Sequence, residues 1–142
     1  MSTTQTSWLK HIGAWLGHIP KSEFDLAVYA DKGLPTDVTN TMTKHGLTQG
    51  EVSSLVIPAR TLKHRRSRHE RLSKDETDKA IRSARILSQA QLVFGEDSLA
   101  LEWMREAKRR FDGRTPMQMM ETEAGGRLVE EMLFQLEHGM FA

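Results

Sequence analysis

The 142-residue chain has room for one domain or two small ones, and with 38% hydrophobic residues, three Trp and five Phe it has the means to pack a core. No run approaches the roughly 20 apolar residues of a membrane span. The start MSTTQTSWLKHIG lacks a secretory leader, and the absence of cysteine excludes disulfides and thiolate metal sites, all of which fits a cytoplasmic protein.

Ser7 to Ile19 has helical periodicity: Trp8, Ile12, Trp15 and Ile19 recur on one face, and Pro20 ends the run. Ser22 is placed to cap a second helix with Phe24, Leu26, Ala27 and Tyr29 inside and Gly33 beyond its end. Leu34-Pro35-Thr36 opens a third helix carrying Val38 and Met42, stopped by Gly46. Thr48 and Glu51 have capping-box spacing, and Val52, Leu55 and Val56 give the helix that follows one apolar face. Ile57-Pro58 breaks it, since proline lacks an N–H and restricts the residue before it. Pro58 then suits the first turn of a new helix running from Ala59 to about His69.

That last helix is apolar only at Ala59 and Leu62. From Arg60 to Arg71 there are six Lys/Arg and a single acid, on a chain whose net charge is only +1. A short apolar helix, a sharp break and a second, cationic helix describe a helix-turn-helix that binds DNA. Within it Arg65 and Arg66 are candidates for bidentate contacts to guanine or for phosphate clamps. Arg60, Lys63, His64 and Arg68 add cationic or polar reach, and Thr61 is placed for a thymine methyl or a phosphate. Thr48 and Gln49, at the start of the preceding helix, are expected to donate to the DNA backbone. One such helix reads only a few base pairs, so a dimer on a palindromic site is expected. The bland alternatives are a solvated basic helix on an adaptor, or a stand-alone regulator whose C-terminal part only dimerises.

Ser73 and Glu76 repeat the capping-box spacing and open a long helix to about Phe94, ended by Gly95. Its apolar residues lie on two sides: Ala80, Ala84, Leu87 and Phe94 on one, Ile86, Ala90 and Val93 on the other. Such a helix is packed from two sides and reads as a connecting spine. Asp97 or Ser98 caps a shorter helix containing Leu99, Ala100, Leu101, Trp103 and Met104. A polar stretch turns at Gly113. Thr115-Pro116 starts a brief helix, and after Gly125-Gly126 a last helix carries Leu128, Val129, Met132, Leu133 and Leu136. Met117, Met119, Met120, Met132 and Met140 suit a core by default and an adaptable partner surface as the alternative. From Thr115 to the end Arg127 is the single basic residue against five glutamates. No stretch alternates at period two, so the fold class is all-α. The layout is residues 1–72 as a helix-turn-helix module with an N-terminal helix, 73–95 as the connecting helix and 96–142 as a C-terminal module.

The six histidines form no metal-site pattern, and no phosphate loop, dinucleotide fingerprint or nucleophile elbow occurs. Glu130 and Glu131 lie on a periodic helix and read as solvent-facing. No catalytic residue, metal site or cofactor is expected, and the chain is not expected to be an enzyme.

The segment PARTLKHRR, followed by RLS, Glu76-Thr77-Asp78, Arg82 and Arg85, resembles antitoxins of the MbcA/ParS/Xre group. The likeness continues through Phe94 to Glu96, Ala100, Trp103, GRTP at Gly113 to Pro116, TEAGG at Thr122 to Gly126, Val129 and the closing GMFA, covering roughly residues 34 to 142. The resemblance implies an all-helical type II antitoxin. Its N-terminal module would bind the promoter of its own operon as a repressor, and its C-terminal module would block the active site of a toxin. The toxin implied is a RES-domain protein that consumes NAD, so NAD would be the toxin's substrate and not a cofactor here. The expected assembly is an antitoxin homodimer within a hetero-oligomeric complex. The toxin contacts expected on this basis are Arg114, Met117, Glu121, Thr122, Glu123, Met140 and Phe141.

Overall fold

Glycine, proline and hydroxyl caps divide this chain into helices, and the helices then bury whatever apolar stripe each one carries. The computed structural model describes the backbone of residues 3–139 and the side chains of 8–139. Among the described residues every regular element is helical: α1 (Thr3–Leu16), α2 (Glu23–Lys32), α3 (Val38–Lys44), α4 (Gln49–Leu55), α5 (Ala59–Ser67), α6 (Lys74–Phe94), α7 (Asp97–Met104), a 3₁₀ turn (Arg109–Phe111), α8 (Pro116–Met119) and α9 (Glu123–Glu137). None of these helices is long and apolar enough to cross a membrane. The chain divides into two compact units, residues 1–84 and 85–142, with the division inside α6.

In the first unit α1 lies against α3. Leu9, Ile12, Trp15 and Leu16 of α1 are buried, as are Val38 and Met42 of α3. The Trp15 ring sits 5.0 Å from that of His45. The two tryptophans separate here: Trp15 is 1% exposed, while Trp8 is only half-buried. Expectations about this region fail at Ile19, at Phe24 and at Ala27, which is also exposed. α1 ends at Leu16, and Gly17 takes a φ of 80°, so Ile19 falls outside the helix, loses its register and is 64% exposed. Phe24 is 74% exposed, because α2 lies on the surface and buries none of its residues completely. The Ser22 cap of α2 forms as expected, accepting from the Asp25 N–H.

The segment between α2 and α6 is closed by a backbone latch. The Leu72 N–H donates to the Leu34 carbonyl at 2.9 Å, and the Leu34 N–H donates to Thr77 Oγ1 at 3.1 Å. Arg71 Nη1 donates to the Gly33 carbonyl at 3.1 Å. Gly33 is required here: its φ is 85°, and a Cβ would run into the Leu72 carbonyl. Thr77 is completely buried, so its hydroxyl satisfies an N–H that water does not reach.

In the second unit Ile86, Leu87 and Ala90 of α6 are buried, with Ala100, Leu101 and Met104 of α7, Phe111, and Val129, Met132 and Leu133 of α9. The methionines Met104, Met117, Met120 and Met132 are all core residues, 6% exposed or less. α8 begins with a capping box: Thr115 Oγ1 accepts from the Gln118 N–H, and Gln118 Oε1 accepts from the Thr115 N–H. The elbow between α8 and α9 turns on Gly125, where a Cβ would collide with the Met119 carbonyl. The side chain of Thr122 caps α9 by accepting from the Gly125 N–H at 3.0 Å. Glu130 does not face solvent freely, as its position suggested. It is half-buried, accepts from Arg85 Nη2 at 3.2 Å, and its carbonyl accepts from Gln89.

Candidate functional site

α4 and α5 form a compact helix-turn-helix. The Thr48–Glu51 capping box closes the start of α4 in both directions, at 2.8 and 3.0 Å. Val52, Leu55, Val56 and Ile57 are buried and fix the pair on the core. The break falls at Val56-Ile57-Pro58, and α5 then runs from Ala59 to Ser67 with no fully buried residue. A helix that contributes so little to the core leaves its polar side chains free for other work.

The cations of α5 separate into two groups. Arg60, Lys63, His64 and Ser67 recur at helical spacing and together line a shallow concavity of about 380 Å³. The side chains of Arg60, Lys63 and His64 are exposed and make no hydrogen bond or ion pair among the described residues. Arg68, the C-terminal cap of the helix, is likewise exposed, with its side chain unbonded among the described residues. Thr61 is half-buried beside them.

Arg65 and Arg66 are committed within the fold. Arg65 donates from Nε to Glu76 Oε1 and from Nη2 to Glu76 Oε2, both at 3.2 Å, and its Nη1 lies 3.9 Å from Glu70. The same Glu76 caps α6 by accepting the Ser73 N–H at 2.8 Å. Burial acts to raise the Glu76 pKa, but hydrogen bonds from Arg65 and from Ser73 outweigh it and hold the carboxyl below its ordinary value. The Arg65 guanidinium is raised in turn by its hydrogen bond to Glu76. Arg66 donates from Nη2 to Thr39 Oγ1 and to Asn40 Oδ1, both at 3.0 Å. Thr39 directs its own hydroxyl hydrogen to the Thr36 carbonyl, so its lone pairs face Arg66. The two adjacent arginines, both candidates for guanine or phosphate, thus have different partners: Glu76 for Arg65, and Thr39 with Asn40 for Arg66.

Beside α5 a groove of about 280 Å³ is lined by Thr39, Asn40 and Thr43 of α3, Gln49 of α4, and Lys63 and Arg66, over a floor that includes Val52 and Leu62. Gln49, at the start of α4, thus shares this groove with Lys63 and Arg66 of α5. Thr48 is exposed, but its N–H is spent on Glu51, leaving its hydroxyl as the group able to donate outward. Thr39 and Asn40 were not legible as site residues, because nothing in one sequence links them to Arg66. The capping-box spacing announced Glu76 as the partner of Ser73 but not of Arg65.

In the second unit Glu121, Thr122 and Glu123 are exposed at the α8–α9 elbow, and Glu123 pairs with Arg127 at 3.4 Å. Arg114 is exposed, with Nη1 3.4 Å from the Phe111 carbonyl. Met117, expected at the partner surface, is instead packed inward, 6% exposed, because it follows Pro116 into the core as α8 begins. Met140 and Phe141 lie outside the described residues. Two cations around the 3₁₀ turn are tied down: the Lys108 ammonium lies 4.7 Å over the Trp103 ring, and Arg110 donates to Gln135.

Comparison with known proteins divides the chain at a similar point. Residues 25–85 match the family model of the antitoxin Xre-like helix-turn-helix domain. Residues 89–139 match that of the antitoxin Xre/MbcA/ParS C-terminal toxin-binding domain. An Antitoxin Xre of Pseudomonas putida is 39% identical over 118 residues, covering 83% of this chain and 74% of that protein. One from Yersinia enterocolitica is 33% identical over 87 residues, 61% of this chain and 59% of its own, and one from Photorhabdus laumondii is 26% identical over 113 residues, 78% and 76%. With a helix-turn-helix whose outer face is cationic, a following helical unit, and matches to both family models, this chain belongs to the Xre/MbcA/ParS family of antitoxins.

Proposed function

We propose that this protein is the antitoxin of a type II toxin–antitoxin pair that neutralises its toxin through the C-terminal unit and represses its own promoter through α4 and α5. The observation that carries the reading is the presence in one chain of two family matches, a helix-turn-helix domain and a toxin-binding domain. The exposed stripe Arg60, Lys63 and His64 supports the DNA half, since unpaired cations on a helix with no core duty suit phosphates and base edges. The toxin proposed is a RES-type, NAD-consuming protein, and the mode of neutralisation is occlusion of its active site. The glutamates of the chain's acidic end complement a basic cleft, with Glu121, Thr122, Glu123 and Arg114 as the exposed candidates for contact. The layout proposed remains 1–72 for DNA, 73–95 as connection and 96–142 for toxin, in a homodimer within a larger cytoplasmic complex.

The test is co-expression with the protein encoded by the adjacent gene. Growth arrest and NAD depletion caused by that protein alone, lifted when this chain is co-expressed and with the two purifying together, are expected. A neighbour that neither binds this chain nor depletes NAD would overturn the RES assignment. A promoter fusion that is unchanged when this chain is deleted would overturn repression.

A further inference from the structure

We infer that Arg60 is the arginine that reads a base, and that Arg66 is held by α3 as a phosphate anchor without base-reading capacity. This rests on the DNA-binding half of the function proposed above. An arginine grips guanine O6 and N7 with N–H groups from two neighbouring nitrogens, either Nη1 with Nη2 or Nε with Nη2. Both pairings need Nη2. In Arg66 the two hydrogens of Nη2 are already directed to Thr39 Oγ1 and Asn40 Oδ1, so neither fork is open and the residue acts as an oriented positive charge. In Arg65 the Nε–Nη2 edge is spent on Glu76, and two nearby acids, Glu76 and Glu70, offset its charge. Arg71 is turned to the Gly33 carbonyl.

Arg60 differs from all three, and from the equally unbonded Arg68, which sits at the C-terminal cap of α5 and not at its start. Arg60 is exposed, bonded to nothing among the described residues, and lies in the first turn of α5. The first turn of a recognition helix is the part that reaches base edges in a helix-turn-helix. Lys63, one turn on, has no fork and serves as a point charge. Asn40 is then a positioning residue: it makes no DNA contact itself but fixes the direction of the Arg66 guanidinium. α3, outside the helix-turn-helix proper, thereby enters DNA affinity while leaving sequence preference alone.

The experiment uses the full chain and a duplex spanning the DNA upstream of its own coding sequence, with each base pair of the protected site replaced in turn. An unrelated duplex of equal length is titrated alongside, all across a salt series. Arg60→Lys keeps the charge but removes the fork, so it is expected to lose about tenfold to a hundredfold of preference at one G·C pair while binding the unrelated duplex normally. Arg66→Ala is expected to weaken every duplex alike and to lower the salt slope by about one, with base preferences intact. Asn40→Ala should weaken binding in the same uniform way, and Asn40→Asp, which keeps an acceptor but sets a negative charge against Arg66, should weaken it at least as much. Retention of every base preference by Arg60→Lys would overturn the assignment, as would loss of preference at a single base pair in Arg66→Lys. No binding of the wild-type chain to any promoter duplex at low salt would overturn the DNA-binding reading itself and this assignment with it.

Discussion

Replacing Arg65 by alanine should unfold the first unit more readily than it disturbs DNA contact, although Arg65 sits in the middle of the basic helix. Three hydrogen bonds converge on the Glu76 carboxylate, two from Arg65 at 3.2 Å and one from the Ser73 N–H at 2.8 Å. The pair is largely withdrawn from water, with side-chain exposures of 27% for Arg65 and 12% for Glu76. A net hydrogen bond to a charged group contributes about 1.5–3 kcal/mol, and removing one partner of a buried pair leaves the other charge unpaired. Partial exposure lets water compensate in part, so the loss works out to about 2–3 kcal/mol. With an m-value of about 1.5 kcal/mol/M, the urea midpoint should fall by about 1.3–2 M. The assay is urea unfolding followed by circular dichroism, paired with the salt dependence of DNA binding at a temperature where the variant is folded. The reasoning fails if Arg65→Ala melts within about 0.5 kcal/mol of wild type and instead removes about one unit of salt slope.

Four further outcomes are expected. The Glu76 pKa is lowered on folding, so its contribution to stability is complete above the ordinary carboxylate pKa and is lost as pH falls through the lower folded value; urea midpoints taken down to acid pH should show this loss in wild type and not in Glu76→Gln. Gly125→Ala should destabilise the second unit by about 2 kcal/mol or more, since the new methyl meets the Met119 carbonyl, and co-purification with toxin should drop in parallel with the melt. Met120→Ala, at a completely buried position, should cost about 2–5 kcal/mol in urea unfolding. Phe24→Ser should leave the midpoint within about 0.5 kcal/mol, because the ring is 74% exposed.

Punctuation was the most legible layer of this chain. Ser22, Thr48, Ser73 and Thr115 each cap a helix as their spacing predicts, because a cap is a contact between residues three apart. The helix-turn-helix followed from the same logic, with Pro58 marking the break and Val52, Leu55 and Val56 the buried face. Periodicity was weaker where a helix ended early: Ile19 kept the spacing of Trp8, Ile12 and Trp15 but not their helix. Phe24 misled because hydrophobic character alone does not say whether a surface helix turns a ring inward. The division of the arginines was not legible, because Arg65 and Arg66 are adjacent and alike in sequence. Their partners Glu76 and Asn40 come from α6 and α3, distances along the chain that only tertiary structure spans. Met117 shows the same limit in reverse, with a flexible side chain that fits a surface or a core and is drawn inward by the helix start at Pro116.

The pairing of Leu34 with Leu72, reinforced by Thr77, has a consequence for how such proteins diversify. The chain between those two leucines leaves the scaffold and returns to it at one doorway, while the packing of α3 on α1 and the Arg65–Glu76 fork bind it there from two other sides. Under the function proposed above, a recombination between those two leucines would re-address the protein to a new operator only where the incoming segment brings its own partners for α1 and for Glu76.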